Sequence, residues 1–219
     1  IGDTGTIFIQ RIMDFKKFTS PSMSPSSPGY IILKGFSSTF RGYELTSIRM
    51  QDAETIMKWR NEQISALRQS TPLTALEQKN YFEKVVKPSL TQKQPELILL
   101  RFTFENVLIG YGGLVHIDWA NQRAEVSFLL DTERGKDTFQ YGRDCSIFLN
   151  LLMRCAFDTL GLNKISTYSY SHRAFHVNAV ESSGFRRAGV LRDDTQVDGQ
   201  WVDAGVAPCV KSGYQKQFP

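Results

Sequence analysis

The sequence predicts an α/β (α+β) fold: a central mixed, mostly antiparallel sheet of about seven strands flanked by about four helices. Three observations carry this. Two helical patterns at residues 52–61 and 74–87 follow an opening strand at 43–49. Three β-like runs at 96–104, 108–118 and 123–130 are joined by short turns at Glu105-Asn106 and Ala120-Asn121, the pattern of an antiparallel meander. Then comes a strand–loop–helix–strand unit, from AEVSFLL through a Gly-containing basic loop and a long apolar helix to NKISTYSY.

Each element has its local reason. Asp52 stands as N-cap for the first helix. Thr74 with Glu77 forms a capping box for the second, and Pro88 is expected to stop it. The apolar period of SIFLNLLMRCAFDTLGL places a helix at 144–160, and the crossover to the strand at 164–170 is expected to be a right-handed parallel step. A shorter helix at 175–182 ends at Gly184, which suits a C′ position. Strands at 186–191 and 200–209 meet through Asp198-Gly199, a strong hairpin signal. Residues 20–29, SPSMSPSSPG, are almost wholly Ser and Pro, so residues 1–42 read as an N-terminal extension with a linker, ahead of one domain at 43–219.

Composition narrows the class. With 219 residues, 41% hydrophobic and 22% charged, the chain can bury one good core. No apolar run approaches the roughly 18 residues of a membrane span, and the first residues lack signal-peptide order, so no membrane partner and a cytoplasmic location are expected. Cys145, Cys155 and Cys209 have neither CxxC spacing nor an even count, which indicates no metal site and no disulfide framework. The net charge of +4 is modest and unclustered apart from the 134–143 loop and Arg186-Arg187. That excludes the basic stripe of a nucleic-acid binder and fits a small anionic ligand.

The loop DTERGKDTFQYGRDC opens the long helix, and a Gly-containing turn there can present unpaired N–H groups to a phosphate or pyrophosphate. Neither GxGxxG nor GxxxxGK[ST] is present, so the anion would be held in another way; a basic surface loop capping a core helix is the alternative reading.

In this order, RMQDAETIMKWRNEQ, CAFDTLGLNKIS and ESSGFRRAGVLRDDTQVDGQWVD resemble the GNAT acetyltransferases, in the branch of ribosomal-protein N-terminal and amino-sugar acetyltransferases. The resemblance spans roughly residues 43–214. It implies acetyl transfer from acetyl-CoA directly to a primary amine, with the cofactor's pantetheine along residues 126–130, including Phe128, Leu129 and Leu130, where the fourth strand splays from the fifth. Counting back from Phe157 places the family's Q/R-x-x-G-x-G/A motif on Gln140, Tyr141, Gly142, Arg143, Asp144 and Cys145, with Arg143 and Cys145 departing from it; RGK at 134–136 falls too early.

Glu125 stands where the family often carries a catalytic carboxylate, and a solvent-facing strand charge is the other reading. His116 is a candidate second base. The family's α-helical Tyr that protonates the leaving thiolate would fall near Val180 and is missing, so His176 is a candidate acid and Arg173 a candidate partner for a CoA phosphate. Trp59, Arg60, Asn61 and Trp201 are candidates for the acceptor pocket, whose aromatic and cationic character suits an amino sugar nucleotide or another small amine. A protein N-terminus as acceptor, and a GNAT-like module without turnover, stay open beside it. A homodimer is within expectation.

Overall fold

The computed structural model describes residues 29–197 and 199–217. The Ser/Pro-rich stretch before Gly29, the TIFIQ segment and Asp198 lie outside the described residues.

Eight strands form one sheet: β1 (Ser38–Phe40), β2 (Tyr43–Ser47), β3 (Ile98–Phe104), β4 (Val107–Asp118), β5 (Arg123–Leu130), β6 (Lys164–Tyr170), β7 (Gly189–Val197) and β8 (Gln200–Val210), in the spatial order β1-β2-β3-β4-β5-β6-β8-β7. All pairs are antiparallel except β5–β6, which is parallel. The extra strand beyond the expected seven is β1. Arg41 and Gly42, both at positive φ, turn it back so that Phe40 faces Tyr43, the geometry of a two-residue hairpin. Glu105 and Asn106 do the same between β3 and β4.

The boundary expected at 42/43 therefore cuts a hairpin. Tyr30, Leu33, Phe36 and Phe40 are buried in the core, and the Tyr30 hydroxyl accepts the Leu99 N–H at 2.9 Å. Residues 30–42 belong to the folded body.

Helix α1 (Ala53–Glu62) buries Ile56 and Trp59. Asp52 does not cap it with its side chain: the carboxylate accepts the Arg49 N–H at 2.9 Å and pairs with Arg101 at 3.3 Å. Helix α2 (Ala75–Tyr81) begins with the expected box, Glu77 N–H to Thr74 Oγ1 and Thr74 N–H to Glu77 Oε2. It does not stop before Pro88. A π-helical stretch, Phe82–Val86, leads into a last turn, Lys87–Ser89, and this wider turn accommodates a residue with no N–H to give.

Helix α3 (Thr138–Met153), prolonged by a π turn at Arg154–Thr159, is the core of the molecule, with Phe148, Leu151, Leu152 and Phe157 fully buried. Phe148 packs on Phe128 of β5 and Phe102 of β3, with ring centroids 4.5 and 5.5 Å apart. Helix α4 (Ala174–Ser182) ends as expected at Gly184, with φ 95°, and α5 (Lys211–Gln217) closes the chain. In β4, a Cβ at Gly112 would lie 2.1 Å from the Ser127 carbonyl oxygen, so only glycine allows β5 this close.

Candidate active site

The parallel pairing of β5 with β6 covers only Arg123, Ala124 and Glu125, against Lys164, Ile165 and Ser166. Beyond Glu125 the strands diverge, and residues 126–130 keep β4 as their partner on one side while the edge toward β6 has no strand pairing among the described residues. The sheet is opened at its one parallel step, with α3 packed behind the gap.

A cleft of about 280 Å³ occupies this opening, bounded by Val126, Ser127 and Phe128 of β5 and by Thr167, Tyr168, Ser169 and Tyr170 of β6. Six residues expected from the sequence line it: Arg60, His116, Glu125, Phe128, Arg173 and His176. Glu125 is at the last paired position, where the gap begins. His116 is adjacent because of a bulge: the β4–β5 register shifts between Val115 and Asp118, and His116 takes φ 51° there.

His176 is buried under the cleft floor. Its Nδ1 is 2.9 Å from the Tyr141 hydroxyl, and an Arg173 nitrogen donates to the same hydroxyl at 3.1 Å. A guanidinium can only donate, so the assignment that satisfies every group has Tyr141 accepting from Arg173 and donating to Nδ1, leaving the N–H on Nε2. Burial, with the Arg173 charge adding to it, brings the His176 pKa down to about 3. At neutral pH the ring is then uncharged imidazole, so any part His176 takes as an acid falls to its remaining N–H. Burial pushes Tyr141 upward, so its hydroxyl is a hydrogen-bonding group and not a titrating one.

The expected phosphate loop is displaced. Gln140, Tyr141, Gly142, Arg143, Asp144 and Cys145 are inside α3, which starts at Thr138 and not at Asp144. Asp137 caps that start, accepting the Phe139 and Gln140 N–H groups at 2.9 and 3.2 Å. The turn Arg134–Lys136, set aside from the sequence as too early, is the segment that meets the helix. Tyr141 and Asp144 are buried: Asp144 accepts from the Tyr43 hydroxyl at 2.8 Å and pairs with Arg134, with Gln140 donating to it as well. Arg143 donates to Gln140 and is partly exposed. Amides of Gly142 to Asp144 are therefore spent on the helix, and the other basic groups near its start are Lys136, which pairs with Glu133 at 2.7 Å, and Arg143.

The acceptor candidates divide. Arg60 lines the cleft and donates to the Tyr111 hydroxyl at 2.9 Å and to Gln69 at 3.0 Å. Trp59 is packed in the core at 4% exposure and does not line the cleft. Asn61 is a clamp for the following loop, exchanging hydrogen bonds with the Leu73 backbone at 2.7 and 2.8 Å. Trp201 is on β8, 61% exposed, and does not line the cleft. Sequence reasoning missed Arg68, Tyr168 and Tyr170. Arg68 lies in a loop without periodicity or motif; the alternation in YSY was the one signal for the tyrosines.

A mixed sheet split at its parallel step, with a buried helix behind the gap, is the architecture of the GNAT fold. The chain belongs to the acetyltransferase (GNAT) domain family, whose model matches residues 45–206. It is an acyl-CoA-dependent N-acetyltransferase with acetyl-CoA as cosubstrate. It is similar to the uncharacterized N-acetyltransferase p20 of Bacillus licheniformis, 22% identical over 171 residues that cover 78% of this chain and 93% of that protein. Among solved structures, it resembles the spermidine N-acetyltransferase of Vibrio cholerae in complex with CoA and spermine, at TM-score 0.70, 18% identity, 80% of this chain and 98% of that one. The dodecameric structure of that enzyme in an intermediate state gives TM-score 0.68 at 18% identity, covering 81% and 99%. Among the described residues no helix is long and apolar enough to cross a membrane, and no group of His, Cys, Asp or Glu could hold a metal ion.

Proposed function

We propose that this acetyltransferase works on a small primary amine, with an amino sugar nucleotide the favoured acceptor, that Glu125 is its general base, and that it acts in the cytoplasm. The observation that carries this is the position of Glu125 where β5 leaves β6, at the mouth of the opening between them and 29% exposed in its side chain. There a carboxylate can take the proton of an incoming ammonium.

When bound, acetyl-CoA supplies the activated thioester. The backbone edge of residues 126–130 that faces away from β4, where the Leu130 carbonyl already accepts from Gln63 at 2.9 Å, would hold its pantetheine arm as an added strand. The Arg134–Lys136 turn and the start of α3, with Lys136, Arg143 and Arg173, would face its phosphates. The Asp137 carboxylate already uses two of the helix's first amides, so side-chain cations carry more of this task than the family motif implies. His116 borders the same space and suits a second proton acceptor. The Nε2–H of neutral His176 is a hydrogen-bond donor for the departing sulfur, which can leave as thiolate and take its proton from water.

The test is free-thiol release from acetyl-CoA over a panel of amino sugar nucleotides, simple amines, polyamines and peptides, with calorimetric binding of CoA alongside. Glu125→Gln should lower kcat by about 10²-fold or more with CoA affinity retained. Transfer confined to peptide N-termini would replace the small-amine reading with the protein N-terminal one. CoA binding with no transfer to any amine would leave a module without turnover.

A further inference from the structure

Arg68 is the least expected group at the site. It projects from the loop between α1 and α2, which is held in place before any ligand arrives. Asn61 bonds both the Leu73 N–H and C=O, and Gln69 is fixed between the Asn61 side chain at 3.1 Å and Arg60 at 3.0 Å. From this support the Arg68 guanidinium lies over the Tyr168 ring, 3.8 Å from its centroid, and reaches Glu125 at 3.1 Å. Its side chain is 48% exposed. An ion pair that open to water contributes little to stability, so the fold gains little from placing a cation on the carboxylate best positioned as a base.

The surroundings say what it is for. Arg68 lines both the cleft and an adjoining groove of about 680 Å³, bounded also by Ile64, Gln69, Tyr168, Tyr170 and Gln196. On the acceptor side of the cleft, Arg60 and Arg68 stand against the single carboxylate of Glu125, and Arg60 has no ion-pair partner among the described residues. The groove adds one acidic residue, Asp194, at its rim. A polycation entering here would bring its second charge toward two guanidinium groups. An amine that also carries a carboxylate or phosphate would offer Arg68 the bidentate partner its planar fork is shaped for.

We propose that Arg68 is the specificity-determining residue of the acceptor site and selects amines that carry an anionic group, exchanging its bond to Glu125 for one to the acceptor's anion. The exchange has a chemical consequence. It frees the Glu125 carboxylate when an acceptor of the right charge is seated, and leaves it engaged when none is. This deepens the acetyltransferase reading and rests on it for the role of Glu125; the charge selection at Arg68 can be measured without turnover.

The experiment uses the full chain with saturating CoA and reads acceptor binding by calorimetry, then transfer by thiol release. Phosphoethanolamine and a uridine-diphosphate amino sugar probe phosphate, β-alanine probes carboxylate, ethanolamine is the neutral control and spermidine the polycation. Wild type is expected to prefer one anionic class over ethanolamine, and spermidine to bind most weakly. Arg68→Ala should reduce that preference about tenfold to a hundredfold, mainly through KM, and Arg68→Glu should reverse the order toward spermidine. Arg68→Lys should keep the sign of the preference and lose part of its size. An unchanged anionic-to-neutral ratio in Arg68→Ala, or spermidine bound best by wild type, would overturn the proposal. Arg68-dependent binding of an anionic amine without any thiol release would uphold it while overturning the catalytic reading.

Discussion

Held neutral at pH 7 by its surroundings, His176 serves as a bonding group, and its contribution to stability has a definite sign. Its pKa is about 3 in the folded chain against 6.5 for the free side chain. Between those values the unfolded chain binds a proton that the folded chain does not, so stability falls as the pH drops through that window and is fully present above 6.5. The melting temperature is expected to decline from pH 7 to pH 4.5, and to decline less steeply in His176→Asn. Equal slopes for the two proteins would show that other groups govern acid unfolding. At this scale the sequence placed Glu125 and His116 on strands and Arg60 on a helix, with Arg173 just ahead of another, through alternation and family resemblance, and all four line the cleft. Trp59 is inside the core, the reading its place on an amphipathic helix favours, and Trp201 is on an open strand, which a single sequence does not distinguish from a pocket wall. Arg68 was out of reach because only contacts across 57 positions, to Glu125, bring it to the site.

Among the elements, α3 shows how a correct helix can carry an incorrect loop. The apolar pattern identified its buried face but put its start at 144, and the motif was placed by counting back through an assumed helix length, while the Asp137 cap is what fixes the start at Thr138. The cost of that earlier start is a carboxylate inside the protein. Asp144 has no exposed surface and is satisfied by Arg134, Gln140 and the Tyr43 hydroxyl. Asp144→Asn keeps the shape and removes the charge that Arg134 needs, so it should destabilise the fold by about 3 kcal/mol, a drop in Tm of roughly 6–12 °C. Thermal unfolding of the pair checks this. A variant melting within about 1 °C of wild type would mean that Arg134 finds water or another partner at no cost.

Across the whole molecule, the meander, the parallel step and the final hairpin were all legible, since each rests on local turns and periodicity. The first hairpin was not. Its RG turn lacks the usual Asn or Asp, and the Ser/Pro-rich stretch ahead of it drew the domain boundary too far along the chain. The residues so excluded do much for the fold. A chain beginning at Tyr43 would lose the Tyr30, Leu33, Phe36 and Phe40 side chains, each contributing about 1.5–3 kcal/mol when buried, and would leave the Leu99 N–H without its acceptor. Such a chain is expected to show no cooperative unfolding transition by circular dichroism; a sigmoidal melt near that of the full chain would refute the revised boundary.

The gap in the sheet is also a built-in reporter. Along residues 126–130, the amide hydrogens that point away from β4 are the ones a strand neighbour would normally shield. In the free protein they should trade with solvent deuterium quickly, though they sit in the middle of an eight-stranded sheet whose other central amides exchange slowly. Any molecule that docks along that edge will slow them, so mass-spectrometric deuterium uptake on one short peptide reports occupancy of the site without labels, turnover or knowledge of the acceptor.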